Sequence, residues 1–243
     1  MQKPQISLVL PCYNPEPGWP ERVLYYYNEI ILKLGETDLF VLIVNDGTPS
    51  MVTEEDLRKL RAGIRNFTYY SYPENKGKGY ALRFGIARVT TESVIYTDID
   101  FPYTTGSFIN VSGLLAAHDV VIGIKNSNYY HNVPLWRKRI SKLLQKMISI
   151  FFPGIITTDT QCGLKGFKGK AKDIFLATTI NNYLFDLEFI VLISRELKTT
   201  TVLKEIELAE NVRFVPVSLT TLGRELFNFL KIIFRRRRPD PGK

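Results

Sequence analysis

Hydrophobic positions in the first hundred residues alternate between short continuous runs and helical spacing. The continuous runs end in turn-forming residues and predict buried strands at residues 6–13, 39–47, 67–73 and 93–100. Between them lie segments with the apolar spacing of amphipathic helices, at residues 20–34, 53–63 and 78–89. This alternation predicts an α/β fold with a mostly parallel, Rossmann-like sheet and helices on both faces.

The second half of the chain has a less regular pattern. It predicts a strand at 119–126, an amphipathic helix at 134–152, a loop and strand at 159–167, a helix at 184–197 and one or two strands within 200–216. A last helical stripe runs from residue 219 to residue 234 and leads into four consecutive arginines. We therefore predict one domain at residues 1–216, followed by a basic amphipathic tail at residues 217–243.

The length and composition fit one large core, with 243 residues of which 45% are hydrophobic. The N-terminus lacks the apolar core of a secretory signal, and the apolar patch at 147–156 is interrupted by Pro153 and Gly154, well short of a membrane span. Cys12 and Cys162 are too few for a disulfide framework or a four-ligand zinc site. These observations predict a cytoplasmic protein without a transmembrane helix.

The positive charge is concentrated in two segments of a chain whose net charge is +8. Residues 120–158 contain six basic and no acidic residues, and residues 216–243 contain seven basic and two acidic residues. Positive charge concentrated in this way indicates one surface that binds a partner, and not a protein that binds nucleic acid over its whole surface. The Tyr and Phe residues fall mainly in strand and helix patterns, so we expect no platform for stacking nucleic-acid bases.

Four of the predicted strands end in polar clusters. The clusters are PCYNP (11–15), NDGT (45–48), PENKGKG (73–79) and TDID (97–100). Any one of them would serve an ordinary turn. Because ligands bind where the carboxyl ends of parallel strands meet, four such clusters in succession predict a shared pocket.

Asp98 and Asp100 are the candidate metal ligands. Alternate residues of a strand point the same way, and two neighbouring carboxylates repel each other unless a cation compensates. Mg²⁺ or Mn²⁺ is commonly held by one or two carboxylates together with substrate phosphates. The alternative interpretation is an Asp-rich turn that caps the next element.

Two other clusters allow two interpretations each. Asp46 either caps the turn after its strand or accepts hydrogen bonds from a base or ribose. Gly77 and Gly79 either belong to an ordinary glycine-rich loop or let the backbone approach a ligand whose charge Lys76 and Lys78 face. The sequence contains neither a P-loop nor a first-turn GxGxxG dinucleotide pattern.

Five blocks in series resemble the family 2 inverting glycosyltransferases of the GT-A fold. The blocks are PCYNPEPGW, VNDGT, ENKGKGYALRFGI, TDID and DTQCGLKGF, and the likeness covers about residues 5–200. Within the family, the chain is most similar to the branch of dolichyl-phosphate glucosyltransferase and dolichol-phosphate mannosyltransferase. It departs from the family pattern at Pro15, which intervenes before Glu16, and at Lys125 and Asn126, where the family usually carries Ser-Arg.

The resemblance implies where the donor and the metal would bind. Asp98 and Asp100 would hold Mg²⁺ or Mn²⁺ together with the diphosphate of a nucleotide-sugar donor. The residues expected to contact the nucleotide sugar are Pro11, Tyr13, Asn14, Glu16, Asp46, Lys78 and Asp98.

Asp159 is the candidate catalytic base or acceptor-site residue. A hydroxyl acceptor needs a general base, whereas a phosphate monoester is already largely dianionic at neutral pH. With a lipid phosphate, Asp159 would instead orient donor or acceptor groups. The alternative is a turn residue that bonds to its own backbone.

The helix predicted at 134–152 has apolar residues along one stripe and basic residues elsewhere. Most such helices pack on their own domain. The lack of acids and the repeated pattern in the tail favour instead an interfacial helix on an anionic membrane surface. From the resemblance we expect a polyprenyl or dolichyl-type lipid phosphate as acceptor, contacted by Arg137 and Arg139, and a peripherally membrane-associated protein.

Two other functions are compatible with the sequence. A family 2 enzyme that acts on a saccharide or glycolipid hydroxyl would need Asp159 or a neighbour as its base. A basic membrane-binding module would keep the nucleotide fold without activity, but it would have no use for the two acids of TDID. From the resemblance we expect transfer of a hexose from a donor of the UDP-glucose or GDP-mannose type.

Overall fold

A computed structural model of the chain describes residues 5–35, 37–125, 133–209 and 218–236. Within these ranges, seven strands form one sheet in the order β3-β2-β1-β4-β6-β5-β7. The strands are β1 (Gln5–Cys12), β2 (Asp38–Asp46), β3 (Asn66–Tyr72), β4 (Ser93–Tyr96), β5 (Val120–Lys125), β6 (Lys165–Phe167) and β7 (Thr201–Ile206). Strand β6 is antiparallel to both of its neighbours, and the other strand pairs are parallel.

Helices cover both faces of this sheet. They are α1 (Trp19–Leu34), α2 (Glu54–Gly63), α3 (Lys78–Ile86), α4 (Thr105–Leu114), α5 (Leu135–Phe151), α6 (Lys170–Leu176), α7 (Phe185–Ile193) and α8 (Leu219–Arg236). One hydrophobic cluster contains buried side chains of α3, α5, α6, α7 and α8, and a second contains those of α1, α2 and α4. The predicted α/β fold with helices on both faces is confirmed.

The central strands supply both clusters because side chains alternate along a strand. Val9 belongs to the first cluster, whereas its neighbours Leu8 and Leu10 belong to the second. In the same way, Tyr96 belongs to the first cluster and its neighbour Ile95 to the second. Burial on both faces explains why these strands read as continuous apolar runs in the sequence.

The order of the strands reverses next to β1. The first three strands extend from β1 towards one edge, and the chain then returns to form β4 on the other side of β1. A gap opens at the carboxyl ends of strands at such a point, because the connecting segments run off in opposite directions. The polar clusters that follow β1 and β4 lie on either side of this gap.

The hydrophobic pattern does not predict α4 and α6. The α4 sequence, TGSFINVSGL, mixes apolar residues with Gly, Ser and Asn and has no clear helical stripe. Thr104 starts this helix by accepting a hydrogen bond from the Ser107 N–H at 3.2 Å, and Phe108 and Val111 are buried. Tertiary packing therefore selects the helix, while residues 210–216 of the predicted late strands lie outside the described residues.

The predicted helices near residues 134–152 and 219–234 are confirmed as α5 and α8. Helix α8 buries Phe229, Ile232 and Ile233 in the first hydrophobic cluster. The Phe229 ring packs edge-to-face on Phe152 of the segment after α5, with ring centres 5.7 Å apart. The predicted boundary at residue 216 lies outside the described residues, and no described helix is long and apolar enough to cross a membrane.

Candidate active site

A cleft of about 1370 Å³ opens at the carboxyl ends of β1, β2 and β4. The cleft brings together residues from all four polar clusters that follow the first four strands. Among the described residues, its charged side chains are Glu16, Arg22, Asp46, Lys78, Asp98, Asp100, Arg137, Asp186 and Arg224. The shared pocket predicted from the strand ends is therefore present in the structure.

Asp98 and Asp100 form an acid pair directly after β4. The turn that carries them is closed by the Phe101 N–H, which donates to the Asp98 carbonyl oxygen at 3.0 Å. Burial of Asp100, followed by the nearby charge of Asp98, raises the pKa of the Asp100 carboxyl to about 6. Two negative charges held this close favour a bound cation.

Lys78, the first residue of α3, forms an ion pair with Asp98. Burial works against the charge of Lys78, but the carboxylates of Asp98, Asp186 and Asp100 outweigh it and raise the pKa of the lysine. The backbone of Gly163 also lies against Asp98, since a Cβ atom at residue 163 would be 2.8 Å from Asp98 Oδ2. Three separate sequence blocks therefore meet at one carboxylate.

Asp46 lines the cleft, but its carboxylate is occupied by the protein itself. Oδ1 accepts hydrogen bonds from the Tyr72 hydroxyl at 2.9 Å and from the Lys76 N–H at 2.7 Å. Oδ2 accepts from Asn75 Nδ2 at 3.2 Å and from the Gly77 N–H at 2.9 Å. Asp46 therefore fixes the loop that leads from β3 to Lys78.

The glycines of the NKGKG loop make room for another part of the chain. A Cβ atom at Gly77 would lie 2.5 Å from the Asn181 carbonyl oxygen, and Gly77 has a positive φ of 97°. The same oxygen accepts a hydrogen bond from the Gly79 N–H at 2.7 Å. Lys76 lies over the ring of Tyr80, with Nζ 5.0 Å from its centre, and of the two lysines only Lys78 belongs to the described lining of the cleft.

The end of β1 and the loop after it also line the cleft, through Pro11, Tyr13, Asn14, Pro15 and Glu16. Asn14 has a positive φ of 45°, and its N–H donates to the Thr48 hydroxyl at 3.1 Å. Asn45 fixes Thr48 in turn, because its Oδ1 accepts from the Thr48 N–H at 2.9 Å. The loops after β1 and β2 are therefore held together at the rim of the cleft.

Asp159 does not belong to the described residues that line the cleft. Its Oδ2 accepts a hydrogen bond from the Lys125 N–H at 2.6 Å, and its Oδ1 forms an ion pair with Lys125 Nζ at 3.1 Å. Both side chains are largely withdrawn from solvent. The contacts of Asp159 fasten the segment before β6 to the end of β5, and its catalytic role stays a prediction.

The two predicted phosphate contacts of α5 are in different environments. Arg137 is partly buried and lines the cleft. Arg139 is exposed and is absent from the described lining of the cleft. Of these two arginines, only Arg137 lines the same cleft as Asp98 and Asp100.

Asp186 lines the cleft from the first turn of α7, although the motifs in the sequence did not indicate it as a site residue. Its Oδ1 accepts from the Tyr96 hydroxyl and forms an ion pair with Lys165 Nζ at 2.8 Å. Both Asp186 and Lys165 are buried. A carboxylate inside the apolar run LFDLEFIVLI is costly unless it is paired, so that contrast was the signal available in the sequence.

Arg22 of α1 and Arg224 of α8 also line the cleft, and neither belongs to a sequence motif that predicted a site. Arg22 lies 3.8 Å from Glu16, measured from Nη2 to Oε2. In the described part of the chain, no three His, Cys, Asp or Glu side chains are grouped closely enough to hold a metal alone. A cation at the acid pair would therefore need ligands from the substrate as well.

The fold is the GT-A fold of glycosyltransferases. The model of the family "Glycosyl transferase family 2" matches residues 7–175. The chain belongs to this family. The resemblance recognised from the five sequence blocks is therefore confirmed.

Curated relatives fall in the branch expected from the blocks. A dolichyl-phosphate beta-glucosyltransferase of Trichomonas vaginalis is 27% identical over 207 residues, which cover 78% of this chain and 61% of the relative. The dolichyl-phosphate beta-glucosyltransferase of Saccharomyces cerevisiae is 26% identical over 217 residues, which cover 79% of this chain and 63% of the relative. The chain thus spans about three fifths of the length of these relatives.

Solved structures show the same GT-A fold. Mannosyl-3-phosphoglycerate synthase from Rubrobacter xylanophilus has a TM-score of 0.70 and 14% identity, with 96% of this chain and 74% of that chain covered. Glucosyl-3-phosphoglycerate synthase from Mycobacterium tuberculosis, in complex with Mn²⁺, UDP and phosphoglyceric acid, has a TM-score of 0.66 and 16% identity, with 98% and 81% covered. At these identities the likeness concerns the fold alone.

Proposed function

We propose that this chain is a metal-dependent inverting glycosyltransferase that transfers a hexose from a nucleotide-diphosphate sugar to a lipid phosphate at a membrane surface. The observation that carries the proposal is the acid pair Asp98 and Asp100 beside Lys78, in the cleft where the strand order reverses. This cleft has the size and the polar residues that a nucleotide sugar requires. Solved relatives of the same fold contain UDP with Mn²⁺ or GDP-mannose with Mn²⁺.

The residues at the acid pair fit a divalent cation. Lys78 supplies one positive charge against the two carboxylates, which leaves one negative charge of the acid pair for a cation. Two carboxylates with open positions suit Mg²⁺ or Mn²⁺, which complete their shells with phosphate oxygens and water. When bound, such an ion would offset the negative charge that develops on the departing diphosphate.

The protein residues around the acid pair would orient the donor. Lys78 would contribute a fixed charge next to the diphosphate, and Asp46 would hold the loop that positions this lysine. Tyr13, Asn14 and Glu16, which also line the cleft, would face the nucleotide. Preorganised charges of this kind stabilise a developing charge without rearranging during the reaction.

A phosphate acceptor agrees with the environment of Asp159. Dianionic phosphate attacks without a general base, so the ion pair of Asp159 with Lys125 would not impair the reaction. The curated relatives are named as dolichyl-phosphate glucosyltransferases, which supports the same acceptor class. We propose a UDP-glucose- or GDP-mannose-type donor and a polyprenyl phosphate acceptor.

Membrane association is proposed from the outer faces of α5 and α8. Large apolar side chains are exposed on both helices, including Leu143 and Ile150 of α5 and Leu226, Phe227 and Phe234 of α8. Lys142, Lys146 and Lys231 lie exposed among them. Apolar residues flanked by cations are typical of helices that lie in the headgroup region of anionic membranes.

A second candidate function is transfer to a hydroxyl acceptor, and Asp186 is the observation that favours it. This buried carboxylate lines the cleft and is paired with Lys165, which makes it a candidate for the general base. Replacing Asp186 by Asn would then lower kcat by roughly 10²–10⁴-fold for a hydroxyl acceptor. Transfer to a lipid phosphate would not depend on proton abstraction by this residue.

The decisive experiment combines nucleotide binding with transfer. Thermal shifts of the full chain with UDP and GDP, with and without Mn²⁺, would identify the nucleotide, and transfer of labelled hexose to polyprenyl phosphate would follow. Asp98→Ala and Asp100→Ala should abolish the metal-dependent shift, whereas Glu205→Ala, which removes an exposed carboxylate of β7, should not. If wild type showed neither a shift nor transfer, a basic membrane-binding module would be the better description.

A further inference from the structure

The first half of α8 forms part of the cleft, although it follows all the blocks that identify the family. Thr221 and Arg224 belong to the lining of the cleft. The helix is fixed there by Glu225, whose Oε2 accepts a hydrogen bond from the Leu184 N–H at 3.1 Å. The position of Arg224 is therefore set by the fold of the domain.

Arg224 differs from the other cations of the described cleft lining. Lys78 is paired with Asp98, and Arg22 lies near Glu16. For Arg224, the described residues provide neither an ion-pair partner nor a hydrogen-bond acceptor. A guanidinium group has a planar fork of N–H donors that matches two oxygens of a phosphate.

We propose that Arg224, together with Arg137 of α5, binds the phosphate of the acceptor. This inference rests on the function proposed above and specifies its acceptor site. Arg224 takes the role that the sequence assigned to Arg139: both side chains are exposed, but only Arg224 belongs to the described cleft lining.

The proposed site fits the reaction without further reagents. One acceptor phosphate oxygen forms the bond to the anomeric carbon, while the bond from that carbon to the nucleotide diphosphate breaks and its electron pair leaves with the diphosphate. No proton is transferred when the acceptor is a dianion. Arg224 would hold the phosphate oxygens that do not attack, and it would thereby act mainly on acceptor binding.

The test uses the full chain and steady-state transfer to farnesyl phosphate in neutral phosphatidylcholine vesicles. Arg224→Ala should raise the KM for farnesyl phosphate at least tenfold and change the KM for the donor by less than twofold. Arg224→Lys should recover part of this loss, because it restores the charge but not the fork. Lys231→Ala is the matched control, since it removes a cation of α8 that lies over the Phe227 ring and is absent from the described cleft lining.

Other roles of Arg224 would give different results in these measurements. If Arg224→Ala left the KM for farnesyl phosphate unchanged but reduced flotation on phosphatidylglycerol vesicles as Lys231→Ala does, Arg224 would be a general membrane contact and the proposal would be overturned. Equal weakening of UDP or GDP binding would assign it to the donor and also overturn the proposal. Inhibition by inorganic phosphate that is lost in Arg224→Ala would support the site for the phosphate group itself.

The failure of the proposed function can be separated from the failure of this site. If wild type transferred hexose to no polyprenyl phosphate, the proposed function would fall. Calorimetric binding of farnesyl phosphate to wild type and to Arg224→Ala would still test the site. Tenfold weaker binding in the variant would support it, and equal binding would overturn it.

Discussion

Arg235, in the last turn of α8, forms an ion pair with Glu188 of α7 at 2.5 Å. The Glu188 carboxylate is only 3% exposed, and it also accepts hydrogen bonds from the N–H groups of Thr179 at 2.7 Å and Ile180 at 2.8 Å. One buried carboxylate thus joins the C-terminal helix to the loop between α6 and α7.

The same loop continues to the cleft. The carbonyl oxygen of Asn181 accepts a hydrogen bond from the Gly79 N–H, directly after Lys78. Asn182 and Tyr183 line the cleft themselves. A continuous set of contacts therefore runs from α8, which we propose to touch the membrane, to the lysine that pairs with Asp98.

The first prediction concerns Glu188. Glu188→Ala should lower the free energy of unfolding by about 3 kcal/mol, because it leaves buried N–H donors without a partner. Arg235→Ala should cost only about 1 kcal/mol, since the arginine is half exposed and the backbone donors keep their acceptor. Urea denaturation measures both values, and similar losses in the two variants would contradict this account.

The second prediction concerns the glycine beside the acid pair. A Cβ atom at residue 163 would meet Asp98 Oδ2 at 2.8 Å, so Gly163→Ala should displace the carboxylate while the fold stays intact. We expect Mn²⁺-dependent nucleotide binding to weaken by roughly 10- to 100-fold. Gly113→Ala is the control, because a Cβ there would meet nothing within 4 Å, and unchanged binding in the Gly163 variant would refute the prediction.

The third prediction separates two roles of Asp46. Asp46→Ala should destabilise the protein by about 2 kcal/mol and weaken nucleotide binding, because the N–H groups of Lys76 and Gly77 lose their acceptor. Tyr72→Phe removes one donor and should cost about 1 kcal/mol or less, with nucleotide binding preserved. Weaker nucleotide binding without any loss of stability in Asp46→Ala would instead indicate direct contact with base or ribose.

The fourth prediction concerns Asp159 and its partner. Asp159→Asn and Lys125→Met disrupt the same ion pair, so each should lower thermal stability, and the double variant should lose less than the sum. The kcat should stay within about tenfold of wild type, whereas loss of a general base would cost roughly 10²–10⁴-fold. A fall in kcat of the larger size with unchanged stability would show that Asp159 is the base.

The fifth prediction concerns the membrane surface. Replacing Ile150 of α5 and Phe227 of α8 by Ser should weaken flotation on anionic vesicles roughly tenfold, because both side chains are exposed and apolar. Leu197→Ser is the matched control, since this leucine is 97% exposed but lies outside both helices. Point substitutions are preferable to deleting α8, because deletion would uncover its buried residues Phe229 and Ile232.

The sequence predicted those features that depend on neighbours along the chain. Continuous apolar runs predicted the central strands, because strands buried on both faces need apolar residues at every position. The carboxyl-end clusters predicted the cleft, and they contain Asp98, Asp100 and Lys78, which line it together. The family blocks were found in the same way, because each is a short contiguous segment.

Only the tertiary structure decided which distant side chains share the cleft. Asp186 and Arg224 come from helices whose apolar patterns gave no indication of a place in the cleft, and Arg137 but not Arg139 lines the cleft because successive helical residues point in different directions. Asp159 is paired with Lys125 through the contact of two segments 34 residues apart. These outcomes depend on the packing of elements that are remote in sequence, and hydrophobic periodicity carries no information about which remote elements meet.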